Sequence, residues 1–173
     1  MNTVPHYSWS FSSLGLLECP RKYEIIRAKK LIPPSPSKAG DEGSRLHELI
    51  EKYIRDDVWD DELAKWKKLL DIYKAKDGVC EQEYAFKKVD GQLVRCTADD
   101  PDAWYRGYID WMKIDGENCE VVDWKTGRVK VTKQLQLYAW IIMTAHPEVN
   151  NVKCTFHFVN VPDQISEIGR AHV

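Results

Sequence analysis

The sequence predicts an α/β or α+β domain in which a β-sheet is covered by helices. Three observations lead there. Residues 12–76 carry apolar side chains at helical spacing, residues 79–127 switch to β-branched and aromatic runs broken by Gly and Asp, and a strongly apolar helix then precedes one more strand. Helices and strands in this order must bury their apolar faces against one another, and helices packed on a sheet are the stable solution. The 173 residues suffice for one domain with a real core, taken as residues 1–166.

In chain order, SSLGLLECPRKYEIIRAKKL (12–31) reads as helix interrupted near Pro20, with Ser12 or Ser13 as its cap. The prolines and serines of IPPSPSKAG make a loop. DEGSRLHELIEKYIRD (41–56) forms a helix whose stripe is Leu46, Leu49, Ile50, Tyr53 and Ile54. DDELAKWKKLLDIYKAK (60–76) is a second one, with acids early and lysines late as the helix dipole favours. VCEQEYAFKKV and AWYRGYIDWMKI are strands, DGEN is a turn, and CEVVDWKTG is a strand ending at Gly127. KQLQLYAWIIMTAH is a helix and NVKCTFHFVNV a last strand.

The last seven residues, EIGRAHV (167–173), show no periodicity and are what a sequencing-adapter string would encode. They are expected to be a non-native tail on a chain that naturally continues.

Composition narrows the function. No run of apolar residues is long enough to span a bilayer, and the N-terminus lacks the basic-then-apolar pattern of a secretion signal, so no membrane and a cytoplasmic location are expected. The 5 cysteines are odd in number and contain no CxxC pair, which suits buried thiols better than a disulfide framework. A net charge of −2 gives no general affinity for polyanions. Nucleic-acid binding would need local clusters such as Arg21, Lys22, Arg27, Lys29 and Lys30, although a charge run is more often a solvated helix face.

The chemistry concentrates in residues 104–127. A turn centred on Gly116 and Glu117 sets Ile114 opposite Cys119, Met112 opposite Val121, and Asp110 opposite Asp123. Directly opposed Cβ atoms lie about 4.5–5.5 Å apart. Two carboxylates that close repel unless one is protonated or a cation sits between them. Alternation also puts Asp123 and Lys125 on one face. Gly107 and Gly127 beside them would let a ligand approach the backbone. Hard oxygen ligands of this kind suit Mg²⁺ or Mn²⁺. A plain surface ion pair is the competing reading for any D-x-K, but Asp123 follows two valines and faces a second acid.

Together these residues resemble the PD-(D/E)XK nuclease superfamily, specifically its RecB-like branch, which includes phage recombination exonucleases and CRISPR spacer-acquisition nucleases. Five motifs carry the likeness in order: SWSFSSLGLLECPRKYE as the N-terminal S-x-S-x-L…C-P-x-x-Y segment, GSRLH as G-x-x-x-H, GYIDWMKI as the G-x-x-D strand, VVDWKTG as D-x-K-T-G, and QLQLY as Q-x-x-x-Y. The resemblance implies a restriction-endonuclease-like core, a central mixed sheet flanked by helices, preceded by an N-terminal helical segment.

It also implies roles. Asp110 and Asp123 would hold Mg²⁺ or Mn²⁺, with the Trp124 carbonyl and His47 as further ligands, and Lys125 would position the attacking water. Gln134 and Tyr138 would support the site or contact DNA, and Glu83, preferred over Glu81, would be an additional site acid. Cys19 is most simply a buried thiol. In some relatives a cysteine near this position joins three late ones around a [4Fe–4S] cluster, which Cys154 alone cannot complete, so that cluster would need a longer chain.

The implied activity is metal-dependent hydrolysis of DNA ends or single strands, by an exonuclease of recombination, repair or phage replication with a recombinase, helicase or CRISPR partner. The alternative is a catalytically inactive nucleic-acid-binding or assembly subunit. Such members lose an acid or the lysine, and none is lost here.

Overall fold

The computed structural model describes residues 9–14, 16, 19–33, 38–126, 133–159 and 165–172; Ser8, Leu17 and Gly127 lie outside the described residues. Its helices are α1 (Phe11–Leu14), α2 (Pro20–Tyr23), α3 (Lys38–Asp56), α4 (Lys67–Ala75) and α5 (Gln134–Ala145). Its strands are β1 (Val79–Val89), β2 (Gln92–Cys96), β3 (Tyr105–Asp115), β4 (Asn118–Lys125), β5 (Asn151–Phe158) and β6 (Ile165–His172). The chain divides into two compact units: Met1–Pro36 with Glu83–Tyr108, and the larger Ser37–Gln82 with Ile109–Val173.

In the smaller unit the strand order is β2-β1-β3. β2 carries no alternating pattern, and its signal lay in the turn before it. Asp90 and Gly91 both take positive φ (51° and 81°), which a two-residue hairpin of type I′ requires, and they set Val89 opposite Gln92. At the N-terminus the cap is Ser10 rather than Ser12 or Ser13. Ser10 Oγ accepts from Ser13 N–H while Ser13 Oγ accepts from Ser10 N–H, a reciprocal arrangement that satisfies two donors at once. Helix breaks near Pro20 as expected: α1 ends at Leu14 and Pro20 opens α2, where its missing N–H costs nothing in a first turn.

In the larger unit β3, β4, β5 and β6 lie side by side in that order. β4 and β5 are parallel and the remaining pairs along this run that have a defined register, β3 with β4 and β5 with β6, are antiparallel. This is the expected mixed sheet with flanking helices. A parallel pair needs a crossover, which α5 supplies between β4 and β5. The β3–β4 register is the predicted one, with Met112 opposite Val121 and Ile114 opposite Cys119. Gly116 at φ +55° supplies the one positive φ that a type II′ turn needs. The last residues carry no period, yet Ile165–His172 run along β5, since an open strand edge pairs through its backbone whatever the side chains.

Two faces of this sheet are covered. Val122 and Trp124 of β4 and Trp111 of β3 share a core with Leu46, Ile50, Tyr53 and Ile54 of α3 and Leu70 and Tyr73 of α4. The second amphipathic stretch is split, with a 3₁₀ segment (Asp61–Trp66) ahead of α4, but its Leu63 and Trp66 reach the same core. Each large apolar side chain so buried contributes roughly 1.5–3 kcal/mol. By alternation Asp123 points the other way, where α5 meets it.

Gly78 precedes β1 against this core. A Cβ there would lie 2.3 Å from the Trp111 ring and 2.7 Å from the Met112 carbonyl oxygen, and neither can yield freely. Gly78→Ala is expected to cost about 1–3 kcal/mol, the range for overpacking, seen as a lower midpoint in denaturant. An unchanged midpoint would mean that the loop before β1 shifts at no cost.

Candidate active site

The site is built on the larger unit, where β3 and β4 stop pairing. The paired positions run from Asp115↔Asn118 to Trp111↔Val122. One step further Asp110 enters the ladder with its side chain, and its Oδ2 accepts from Trp124 N–H at 2.7 Å. The N–H and C=O of one strand residue project to the same side. The Trp124 carbonyl therefore turns toward Asp110 as well, while the next carbonyl, that of Lys125, turns to the other side and accepts from Val159 N–H at 2.9 Å.

Asp123 is 2% exposed, and a carboxylate so buried requires partners. Its Oδ1 accepts from Tyr138 O–H at 2.7 Å and from Gln134 Nε2 at 2.9 Å. Gln134 also donates to the Tyr138 hydroxyl at 2.6 Å. Residues four apart on α5 share one face, so the helix presents amide and phenol together. Lys125 Nζ lies 2.5 Å from Asp123 Oδ2, the oxygen that Tyr138 and Gln134 do not hold. We read the contact as an ion pair. Lys125 also lies 5.1 Å above the Phe156 ring.

On the far side of Asp110, His47 Nδ1 of α3 lies 3.3 Å from Oδ2. Ligating atoms of His47, Glu81 and Asp110 all fall within 4.8 Å of one another, and no other such cluster occurs among the described residues. α3 comes this close because Gly43 has no side chain: a Cβ there would stand 2.8 Å from Thr126 Oγ1.

The sequence reading prefers Glu83 to Glu81 as the additional site acid. Glu83 lies in the smaller unit, accepting from Ala98 N–H at 2.9 Å and Tyr108 O–H at 3.0 Å. The strand acid of the cluster is Glu81. Strict alternation would face both glutamates alike, but Glu81 has φ +49°. That left-handed conformation inside a strand costs about 1–3 kcal/mol and re-aims the side chain. Cys19 is not a buried thiol; it is exposed at the start of α2. Cys119 and Cys154 are buried, and all five cysteines are free.

The electrostatics follow from crowding. Burial, then the Asp110 and Glu51 charges, push the Glu81 carboxyl up to about 7. Burial and Asp110 hold Asp123 well above the usual carboxylate range, against the pull of Lys125 and Tyr138. Burial opposes charge on His47, but Asp110 and Asp123 outweigh it and its pKa is raised. Burial also lifts Tyr138 far above its ordinary value, so it remains a donor. Two acids and an imidazole, Glu81, Asp110 and His47, gather their ligating atoms within 4.8 Å, and the Asp110 charge also acts on Asp123. The donor set is hard oxygen plus one nitrogen, which fits a divalent cation such as Mg²⁺ or Mn²⁺.

An acid whose folded pKa exceeds its unfolded value binds protons more tightly when folded, so its contribution to stability falls as pH rises between the two. Glu81, from 4.5 to about 7, and Asp123, from 3.8 upward, act in this direction. His47, raised above 6.5, adds stability at low pH that is lost as pH climbs through its folded value. The lowered surface acids, such as Asp71 and Asp100, have completed their opposite effect below about pH 5. His157, held by burial down to about 4, acts oppositely up to about pH 6.5, so in EDTA the melting temperature is expected to fall between pH 6.5 and pH 8, and Glu81→Gln should flatten that slope. Mg²⁺ or Mn²⁺ should raise the melting temperature more at pH 8 than at pH 5. A cation shift equal at both values would contradict a carboxylate site.

No curated protein matches this sequence. Among solved structures, the chain is similar to that of SSO0001, with a TM-score of 0.45 and 15% identity, covering 95% of this chain and 67% of that one. A family model described as the PD-(D/E)XK nuclease superfamily matches residues 8–168, which include every candidate residue above. The chain belongs to the PD-(D/E)XK nuclease superfamily.

Proposed function

We propose that the protein is a deoxyribonuclease of the RecB-like branch, hydrolysing phosphodiester bonds at DNA ends or in single strands with Mg²⁺ or Mn²⁺. What carries this reading is the asymmetry of Asp123: one oxygen is fixed by Tyr138 and Gln134, and the other meets the Lys125 ammonium at 2.5 Å. Asp110, Asp123, the Trp124 carbonyl and His47 would hold the cation, with Glu81 beside them. When bound, the cation supplies Lewis-acid charge for the phosphate and an acidified water. Lys125 would orient the attacking water and balance charge that develops on the phosphate oxygens. Gln134 and Tyr138 hold the Asp123 carboxylate in one orientation, which turns its other oxygen toward Lys125. The exonuclease mode and a role in recombination, repair or phage DNA processing, with a recombinase, helicase or CRISPR partner, rest on the motif resemblance. The described residues contain no helix long and apolar enough to cross a membrane.

The test is degradation of linear against closed circular DNA with Mg²⁺, Mn²⁺ or EDTA. Linear DNA should be degraded only with the cation, and circular DNA should persist. Asp123→Asn should abolish degradation, and Lys125→Ala should lower it by about 10²–10³-fold, as for loss of one charge-stabilising donor. Glu81→Gln should be impaired and Glu83→Gln should stay near wild type. Equal degradation by wild type, Asp123→Asn and Lys125→Ala would refute the mechanism. Cation-independent DNA binding without any cleavage would favour the inactive-subunit alternative instead.

A further inference from the structure

Two of the site acids are each followed by a tryptophan: Asp110-Trp111 on β3 and Asp123-Trp124 on β4. Alternation sends the acids to one face of the sheet and the indoles to the other. Both indoles are buried, Trp111 at 0% and Trp124 at 2% exposure. One side chain, Tyr73 of α4, meets both of them. Its ring stands edge-on to Trp111, with centroids 4.9 Å apart at 67°, and edge-on to Trp124, at 5.4 Å and 83°. Its hydroxyl is hydrogen-bonded to His157 Nε2 at 2.7 Å. His157 sits on β5 directly beside Trp124 and stacks on the same indole, at 5.2 Å and 24°.

We propose that Tyr73, locked by His157, is a positioning residue that sets the spacing of Asp110 and Asp123 from the opposite face of the sheet. It rests on the metal-site reading given above. The ladder between β3 and β4 runs only to Trp111↔Val122, so beyond that point backbone pairing is replaced by the Trp124 N–H bond to Asp110. Side-chain packing then fixes how far apart the strand ends stand. Tyr73 bridges the two indoles, and each indole's own backbone continues into an acid. Edge-to-face aromatic pairs have preferred distances and angles, so the bridge resists both spreading and sliding. The imidazole accepts or donates one bond to the phenol, which removes the ring's rotational freedom.

Supporting groups behind metal ligands typically change metal affinity by about 10–100-fold when lost. The readout is Mn²⁺ binding to the full chain without DNA, by electron paramagnetic resonance titration, with thermal melts on every variant. Tyr73→Phe keeps the ring but loses the bond to His157, and its Mn²⁺ dissociation constant should rise about 10-fold. Tyr53→Phe is the control: it removes a part-buried hydroxyl bonded to the exposed Asp71 and to Lys67, on a ring of the same core that stands edge-on to Trp59. It should melt lower and bind Mn²⁺ as wild type does. If Tyr73→Phe loses its cooperative melt, His157→Gln replaces it, keeping a partner for the phenol while removing the stacked ring; it should weaken Mn²⁺ binding similarly. Affinity within about twofold of wild type in the folded variant, or an equal loss in Tyr53→Phe, would overturn the proposal. Asp123→Asn separates the two levels: if it too binds Mn²⁺ as wild type does, the metal-site reading itself fails.

Discussion

A carboxylate buried to 2% exposure in a central strand is the constraint around which the larger unit is organised. A lone charge in that position would cost several kcal/mol or would be protonated. Asp123 avoids this through α5, whose Gln134 and Tyr138 both donate to Oδ1. That requirement fixes how α5 must be rotated on the sheet, and α5 in turn is the crossover that makes β4 and β5 parallel. Lys125 supplies the nearest opposite charge, two residues along the same face. The acid, its supports and its counter-ion thus define one helix rotation, one strand pairing and one strand end.

The sheet divides labour between its faces. One holds Asp110, Asp123 and Lys125; the other holds Trp111, Val122 and Trp124 in the core beneath α3 and α4. Because β4 is buried on both sides, its residues 121–124 form an unbroken buried run in which only Asp123 is charged. Rigid packing on one face is what keeps repelling carboxylates at fixed separation on the other. His47 reaches Asp110 from α3, whose approach depends on the bare backbone of Gly43 against Thr126. The site therefore draws on elements from widely separated parts of the chain.

Strain marks the same place. Glu81 adopts φ +49° within β1, a conformation that favours glycine. Its side chain is carried into the cluster with His47 and Asp110, where crowding pushes its carboxyl up to about 7. A fold selected for stability alone would place glycine at that backbone and an apolar or paired residue at that side chain. Retaining a strained acid among other acids is the signature expected where function sets the local arrangement.

The alternation of VVDWKTG, the two-residue turn at Gly116 and Glu117, and the i, i+4 spacing of Gln134 and Tyr138 are local patterns with fixed geometric meaning. From them the sequence by itself determined the β3–β4 register and the shared faces of Asp110 with Asp123 and of Gln134 with Tyr138. The positive φ of Glu81 was not legible, because such a conformation at a non-glycine residue leaves no mark in composition and inverts the expected alternation. β2 was hidden because its five residues, QLVRC, show neither alternation nor full burial. Long-range partners were decided only by the tertiary structure: His47 beside Asp110, Gly43 against Thr126, and Tyr73 wedged between two tryptophans and a histidine. Periodicity says which way a side chain points; only packing says what it meets.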